Sequence, residues 1–339
     1  MNINILAATA QVLVALGHGL LAMDESTGTC NARFTKHGIP QTLVARRVYR
    51  ELLVTTPGLG AAGISGAISF DETIRQSTQA GVSFLEVLQQ AGIIPGIKVD
   101  TGTHELAGWP GEVVTEGLDG LRARLAEYVT LGARFAKWRA VLAIGSDRPS
   151  RAGLAANAHA LARYAALCKE AGLVPIVEPE VLLTGPHALA QCASVTEDVL
   201  HEMFAQLRTQ GVALEGMLLK PSLVLAGQDC PKQPTIAHVA ETTLACLLRT
   251  VPAAVPGVAF LSGGQSPELA TRHLAAMHAH GGPLPWALTF SFGRAMQQPA
   301  LETWGGQAAN VAAAQRALLE QVAHNRAALS GQRAASIYG

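Results

Sequence analysis

The chain has 339 residues, 49% hydrophobic and 15% charged, with a formal net charge of zero. That composition marks a core-rich globular protein and excludes a disordered one. Zero net charge leaves no electrostatic case for nucleic acid or an anionic membrane as partner, so any anion selectivity must come from locally placed basic residues.

Residues 1–23 carry no Asp, Glu, Lys or Arg. No basic segment opens the stretch, and Asn2, Asn4, Gln11, Gly17, His18 and Gly19 interrupt it. It therefore reads neither as a signal peptide nor as a bilayer span. Ile5, Leu6, Thr9, Leu13 and Leu16 predict an amphipathic helix leading into a first strand. Eight short apolar runs then read as strands: Gly19–Asp24, Gly66–Phe70, Pro95–Asp100, Arg134–Val141, Val174–Glu180, Leu214–Lys220, Gly257–Ser262 and Trp286–Ser291. Helical patterns fill the gaps, among them Thr115–Leu131, Leu154–Glu170, Thr196–Gln210, Thr235–Thr250 and Pro267–Ala279. Strand–helix alternation repeated eight times, with no linker composition between units, predicts an α/β fold: one (β/α)8 TIM barrel spanning residues 1–339. Residues 307–329 read as a further helix, and 330–339 as a mobile C-terminal tail.

Some features carry less than they promise. Gly58-Leu59-Gly60-Ala61-Ala62-Gly63 matches GxGxxG, but a helical pattern precedes it and a strand follows, the reverse of a dinucleotide site. It reads instead as a flexible approach to the second strand. Cys30, Cys168, Cys192, Cys230 and Cys246 are scattered with no CxxC spacing, as expected of reduced, buried thiols in a cytoplasm. The histidines are dispersed and read as surface or capping residues. No HxH or HExxH cluster is present, so no metal is expected.

The chemistry lies at the strand ends. Asp24 ends the first run, Lys98 and Asp100 the third; Lys137 and Arg139 lie in the fourth, Glu178 and Glu180 in the fifth, and Lys220 ends the sixth. Strand residues i and i+2 share a face, so the pairs aim together at the barrel mouth. Buried charges cost several kcal/mol each unless paired, and a purely structural barrel would carry Val, Ile and Leu there. An amine ending an apolar strand is expected to have a lowered pKa, with Lys137 nearby adding to the effect. A neutral amine is a nucleophile, and its natural reaction with a carbonyl is Schiff-base formation. Asp24, Glu178 and Glu180 are the candidate proton carriers; spacing assigns none of them to a particular step. After strands seven and eight, Ser262-Gly263-Gly264 and Gly293-Arg294 combine exposed backbone N–H groups with a guanidinium, a phosphate cradle where barrels often place one.

With those residues in view, the chain resembles class I fructose-bisphosphate aldolase, the metal-independent Schiff-base type. The likeness runs through nearly the whole chain, in Met23–Gly28, Gly96–Asp100, Ala136–Arg139, Pro175–Glu180, Leu218–Pro221, Phe260–Ser266 and Trp286–Ser291. The resemblance implies reversible cleavage of fructose 1,6-bisphosphate to dihydroxyacetone phosphate and glyceraldehyde 3-phosphate, in glycolysis or gluconeogenesis. It makes Lys220 the Schiff-base lysine, Glu178 with Lys137 beside it the acid/base for imine formation, and Asp24 the base for the C4 hydroxyl. Glu180 joins this catalytic group. Ser262, Gly263, Gly264 and Arg294 resemble the 1-phosphate site, and Arg33, Arg46, Lys98 and Arg139 the sugar and 6-phosphate contacts. It further implies a cytoplasmic homotetramer acting on a small phosphosugar with no cofactor. Two departures stand out. Ala32 occupies a position where animal members carry lysine, which removes one phosphate contact. Tyr338, penultimate before Gly339, stands for the terminal tyrosine that serves the enamine step. The Lys-Trp-Arg, Glu-Pro-Glu and Ser-Gly-Gly motifs argue against other Schiff-base barrels, and the intact set Asp24, Lys137, Glu178 and Lys220 against an inactive scaffold.

Overall fold

The computed structural model describes residues 3–280 and 282–330. Its strands are β1 (Gly19–Met23), β2 (Ile64–Ser69), β3 (Ile94–Lys98), β4 (Gly102–Glu105), β5 (Val113–Glu116), β6 (Phe135–Leu142), β7 (Val174–Val181), β8 (Leu218–Leu219), β9 (Gly257–Phe260) and β10 (Ala287–Phe292). Its longer helices, in chain order, are α1 (Ile3–Leu13), α2 (Thr27–Thr35), α3 (Leu43–Val54), α4 (Leu121–Leu131), α5 (Arg151–Ala171), α6 (Leu189–Thr209), α7 (Ile236–Thr250), α8 (Pro267–Ala279), α9 (Arg294–Trp304) and α10 (Val311–Leu329). Eight parallel strands close into a barrel in the order β1-β10-β9-β8-β7-β6-β3-β2, the (β/α)8 fold expected from the alternation. Side-chain hydroxyls of Ser26, Thr42, Ser150, Thr235 and Ser266 accept from the first-turn N–H groups of α2, α3, α5, α7 and α8, so these helices begin at caps written into the sequence.

The barrel interior is divided along its axis. In the lower half, Leu20, Ile68, Phe135, Val174, Ile176, Leu218 and Ala259 form one apolar cluster, closed from below by Leu6, Ala10 and Leu13 of α1. Two residues further along the same strands the inward positions turn charged: Phe135 gives way to Lys137 and Arg139, Ile176 to Glu178 and Glu180, Leu218 to Lys220. The period of two that aligns the pairs therefore also sets them on a dry floor. Outward positions pack on the helices, as where Trp138 meets Tyr164 of α5 with ring centroids 5.6 Å apart.

Four local expectations change. The buried stripe of α1 is Leu6, Ala10 and Leu13; Ile5 is 54% exposed and Leu16 lies beyond the helix, 94% exposed. Of the run Leu214–Lys220 only Leu218–Leu219 pairs as strand, because Leu214–Gly216 winds into a 3-10 turn packed against α1. The stretch Thr115–Leu131 begins as strand rather than helix. Gly117 and Gly120 carry positive φ and break it, so α4 starts at Leu121, and Val113–Glu116 pairs with Gly102–Glu105 as an antiparallel hairpin. The Gly58–Gly63 segment is one tight helical turn, not a flexible approach: a Cβ on Gly60 would lie 2.0 Å from the Ala91 carbonyl oxygen. Cys30, Cys168, Cys192 and Cys246 are buried free thiols, as expected, whereas Cys230 is free but only partly buried. Two histidines depart from the surface reading, His187 and His273, both buried.

Candidate active site

A cavity of about 1170 Å³ opens at the C-terminal ends of the barrel strands. Parallel register sets its chemistry in rows: Lys98 lies beside Lys137, and Arg139 beside Glu178. Lys220 follows the two-residue β8, and its own N–H donates to the Val177 carbonyl at 2.8 Å, which fixes where the side chain starts.

Glu178 is the centre of the arrangement. Its Oε1 lies 2.9 Å from Lys220 Nζ and its Oε2 2.9 Å from Lys137 Nζ; Lys137 in turn reaches Asp24 Oδ2 at 2.6 Å. All of this is nearly dry, with Lys137, Glu178 and Lys220 at most 4% exposed. The two ammonium groups, expected side by side, are bridged by a carboxylate. Burial alone would discharge each group. At Asp24 it is outweighed by Lys137 and then Lys220, which hold the carboxyl well below the usual carboxylate range. At Glu178 it is outweighed in the same order, and that pKa is also lowered. Burial opposes charge on Lys137 too, but Asp24, Glu178 and Asp100 keep it firmly protonated. Glu180 differs: burial prevails over Arg139, 2.9 Å away, and its pKa is raised. Two carboxylates two residues apart are thus pushed in opposite directions, the pattern of sites that divide proton-transfer roles.

The anion side is built from the next two strand ends. Gly263 (φ 57°) and Gly264 (φ 88°) take left-handed conformations that L side chains rarely adopt, and both line the cavity. A Cβ on Gly264 would stand 3.6 Å from Arg294 Nη2, so the loop and the guanidinium meet. Arg294 opens α9 and makes no ion pair among the described residues, leaving it free for an anion. Behind the loop, His273 Nδ1 donates to Gln265 Oε1 at 2.6 Å and Gln265 Nε2 donates to the Ser262 carbonyl at 3.0 Å. Burial, then Arg272, pushes His273 down to about 4. It stays neutral at physiological pH and holds the loop without adding charge.

The other basic residues divide. Arg33, Lys98 and Arg139 line the cavity, with Lys98 Nζ 2.6 Å from Asp100 Oδ1. Arg33 is shared with Glu25, which Arg50 also pairs at 2.8 Å. Arg46 does not line the cavity: its guanidinium is held by Glu72, at 2.8 and 2.7 Å, and by Asn31. Tyr338 and the tail from 331 onward lie outside the described residues. Sequence inspection overlooked Lys36, which lines the cavity one turn after Ala32, at the C-cap of α2. It also overlooked the rim of Asp71, Arg75 and Tyr128, where Tyr128 donates to Asp71 at 2.9 Å. The i, i+4 spacing from Ala32 was the available signal for Lys36.

The Glu25 cluster also supports the fold. Arg33 and Arg50, both mostly buried, hold its carboxyl below the ordinary value against burial. Arg50→Met should therefore destabilise the protein by roughly 2–4 kcal/mol, since a buried carboxylate loses one of its two cations. The contribution exists above the ordinary glutamate pKa and fades as pH falls through the lowered one, so the Tm difference between variant and parent, measured by calorimetry, should shrink toward acid pH. Equal Tm values at neutral pH would refute it.

The fructose-bisphosphate aldolase class-I family model matches residues 5–338. The "probable fructose-bisphosphate aldolase class 1" of Xanthomonas campestris pv. campestris is 56% identical, with 98% of this chain and 99% of that one covered. The cytoplasmic isozyme 2 of fructose-bisphosphate aldolase from Pisum sativum is 51% identical, covering 98% and 93%. Among solved structures, fructose-bisphosphate aldolase from Plasmodium falciparum, co-crystallised with TRAP and a small-molecule inhibitor, superposes with a TM-score of 0.96 at 48% identity, covering 98% of this chain and 95% of that one. The lysine network on its apolar barrel floor and these full-length likenesses agree: the chain belongs to the class I fructose-bisphosphate aldolases, lyases that act through a lysine Schiff base and need no metal.

Proposed function

We infer that this chain cleaves fructose 1,6-bisphosphate reversibly to dihydroxyacetone phosphate and glyceraldehyde 3-phosphate, with Lys220 as the amine. The observation that carries the reading is Glu178 placed 2.9 Å from both Lys220 and Lys137, with Asp24 on the far side of Lys137. In this scheme Glu178 takes the ammonium proton of Lys220 as the substrate's C2 carbonyl arrives. The freed amine adds to C2, and Glu178 returns the proton to the carbinolamine hydroxyl, which leaves as water. Asp24, held ionised, accepts the C4 hydroxyl proton. The C3–C4 bond breaks, its electron pair flows to the iminium nitrogen, and the aldehyde departs. Protonation of the enamine at C3, a step the family resemblance gives to Tyr338, and hydrolysis of the imine release the ketone and restore Lys220. Lys137 stays charged throughout and stabilises the carboxylates between which the protons move. Ser262, Gly263, Gly264 and Arg294 hold the 1-phosphate, and Arg33, Lys98 and Arg139 the far end.

The test is cleavage of fructose 1,6-bisphosphate by the purified full chain with and without EDTA. Equal turnover is expected, and activity that EDTA abolishes would overturn the reading. At the far end, Ala32 leaves a gap in the basic lining. Ala32→Lys should raise kcat/KM for the bisphosphate about fivefold, the worth of one exposed charge pair of about 1 kcal/mol, and leave fructose 1-phosphate unchanged. Equal gains on both substrates would contradict this placement.

The opposite shifts of Glu178 and Glu180 make a pH prediction. With its pKa raised, Glu180 protonates first as pH falls, and Arg139 loses its charged partner. Glu180→Gln should bring activity at neutral pH down toward the parent's acid level and flatten the acid limb of kcat/KM. An unchanged limb would assign it to another group. A cytoplasmic location is supported by relatives called cytoplasmic or cytosolic in Pisum sativum and Arabidopsis thaliana, and among the described residues no helix is long and apolar enough to cross a membrane. Assembly as a homotetramer belongs to the same proposal, and analytical ultracentrifugation tests it.

A further inference from the structure

Gln297 lies three residues after Arg294 on α9 and is fully buried. Its amide uses both donors and its carbonyl accepts twice. Nε2 donates to the Ala22 carbonyl at 2.6 Å and to Glu25 Oε1 at 3.0 Å. Oε1 accepts from Tyr49 OH at 3.0 Å and, more weakly, from Arg33 at 3.4 Å. Ala22 and Glu25 flank Asp24 on either side along the chain. One amide therefore grips the main chain before Asp24 and the side chain just after it, from the helix that begins with the anion-binding arginine.

We propose that Gln297 is a positioning residue that ties the Gly293–Arg294 anion site to the turn bearing Asp24, and so sets the Asp24 carboxylate against Lys137. This rests on the aldolase reading above and goes beyond it. The residue type fits the task. Only a neutral amide offers donors to a carbonyl and a carboxylate while accepting from a phenol and a guanidinium. Glutamate here would face Glu25 with a second carboxylate, and leucine would leave the Ala22 carbonyl and Tyr49 hydroxyl unpartnered in a buried site. An anion held at Arg294 fixes the start of α9, and Gln297 carries that placement to both sides of Asp24. Asp24 serves bond cleavage but not imine formation, so losing this tie should slow one step and spare the other.

The experiment uses Gln297→Leu and Tyr49→Phe in the full chain. Three quantities are read: kcat and KM for fructose 1,6-bisphosphate, the yield of dihydroxyacetone phosphate trapped by borohydride, and Tm. Gln297→Leu should lose about 10²-fold in kcat, the penalty for an ångström-scale misplacement of a reacting group, with trapping yield equal to the parent's. Tyr49→Phe, which removes one hydrogen bond to the amide, should shift kcat in the same direction by roughly threefold, again with trapping intact. Unchanged kcat in a folded Gln297→Leu variant would overturn the proposal. So would a parallel fall of kcat and trapping, which marks a merely structural residue. Should Gln297→Leu not fold, Tyr49→Phe decides: a selective loss of kcat supports the tie and an unchanged kcat refutes it. The parent's own cleavage rate is the separate check on the aldolase reading.

Discussion

Lys220→Met should lower kcat/KM for fructose 1,6-bisphosphate by roughly 10⁵-fold or more, the scale of loss when a covalent nucleophile is removed. Methionine matches lysine in length and apolar volume, and the barrel floor below, with Leu218 and Ile176, stays packed. The variant should therefore still fold, but with a Tm several degrees below the parent's, because the buried Glu178 carboxylate then keeps only Lys137 as its partner. Steady-state cleavage and calorimetry on the same preparation separate the two effects. A rate within tenfold of the parent would place the nucleophile elsewhere.

Asp24→Asn is expected to divide the reaction differently. The side chain keeps its shape and can still accept from Lys137, but it can no longer take the C4 hydroxyl proton. Loss of a positioned base typically costs 10²–10⁴-fold, and kcat should fall by roughly 10³. In the proposed scheme imine formation runs through Glu178 and Lys220, whose 2.9 Å contact the substitution does not touch, so borohydride should trap dihydroxyacetone phosphate on the variant as well as on the parent. Restored cleavage at high pH would point instead to a different base. Asp24 is so far depressed by Lys137 and Lys220 that it is ionised across the whole working range. The acid limb of the parent's profile therefore belongs to another group, and Glu180 is the candidate.

Most of the barrel is legible in the chain. Three strand ends announce themselves as apolar runs that turn charged at i+2 spacing, at Lys98 and Asp100, Lys137 and Arg139, and Glu178 and Glu180, and this periodicity survives into the structure as an apolar floor under Lys137, Glu178 and Lys220. Where the reading failed, tertiary context decided. Leu214–Gly216 is as apolar as a strand, yet packing against α1 winds it into a turn. The β4–β5 hairpin is short, largely exposed and polar, so it has no periodic apolar signature. Arg46 and Arg33 are alike in sequence; Glu72 captures the one while the other stays at the cavity, and nothing local to either arginine distinguishes them. Pairing also lay beyond spacing. The strand ends marked Lys137 and Lys220 as neighbours, but only the folded register puts Glu178 between them. Gln297 shows no signal at all, being one of two adjacent glutamines on an unremarkable helix.

The central claim is that Lys220, and no other amine in the cavity, bonds to the substrate carbon. Lys137 is the competitor, equally buried but tied to Asp24 and Glu178 and held firmly charged. Incubation of the full chain with dihydroxyacetone phosphate, reduction with borohydride and peptide mapping by mass spectrometry distinguishes them. The account predicts one adduct, on the peptide containing Lys220. A label on Lys137 or any other residue, or no label on an enzyme that cleaves fructose 1,6-bisphosphate, would contradict it.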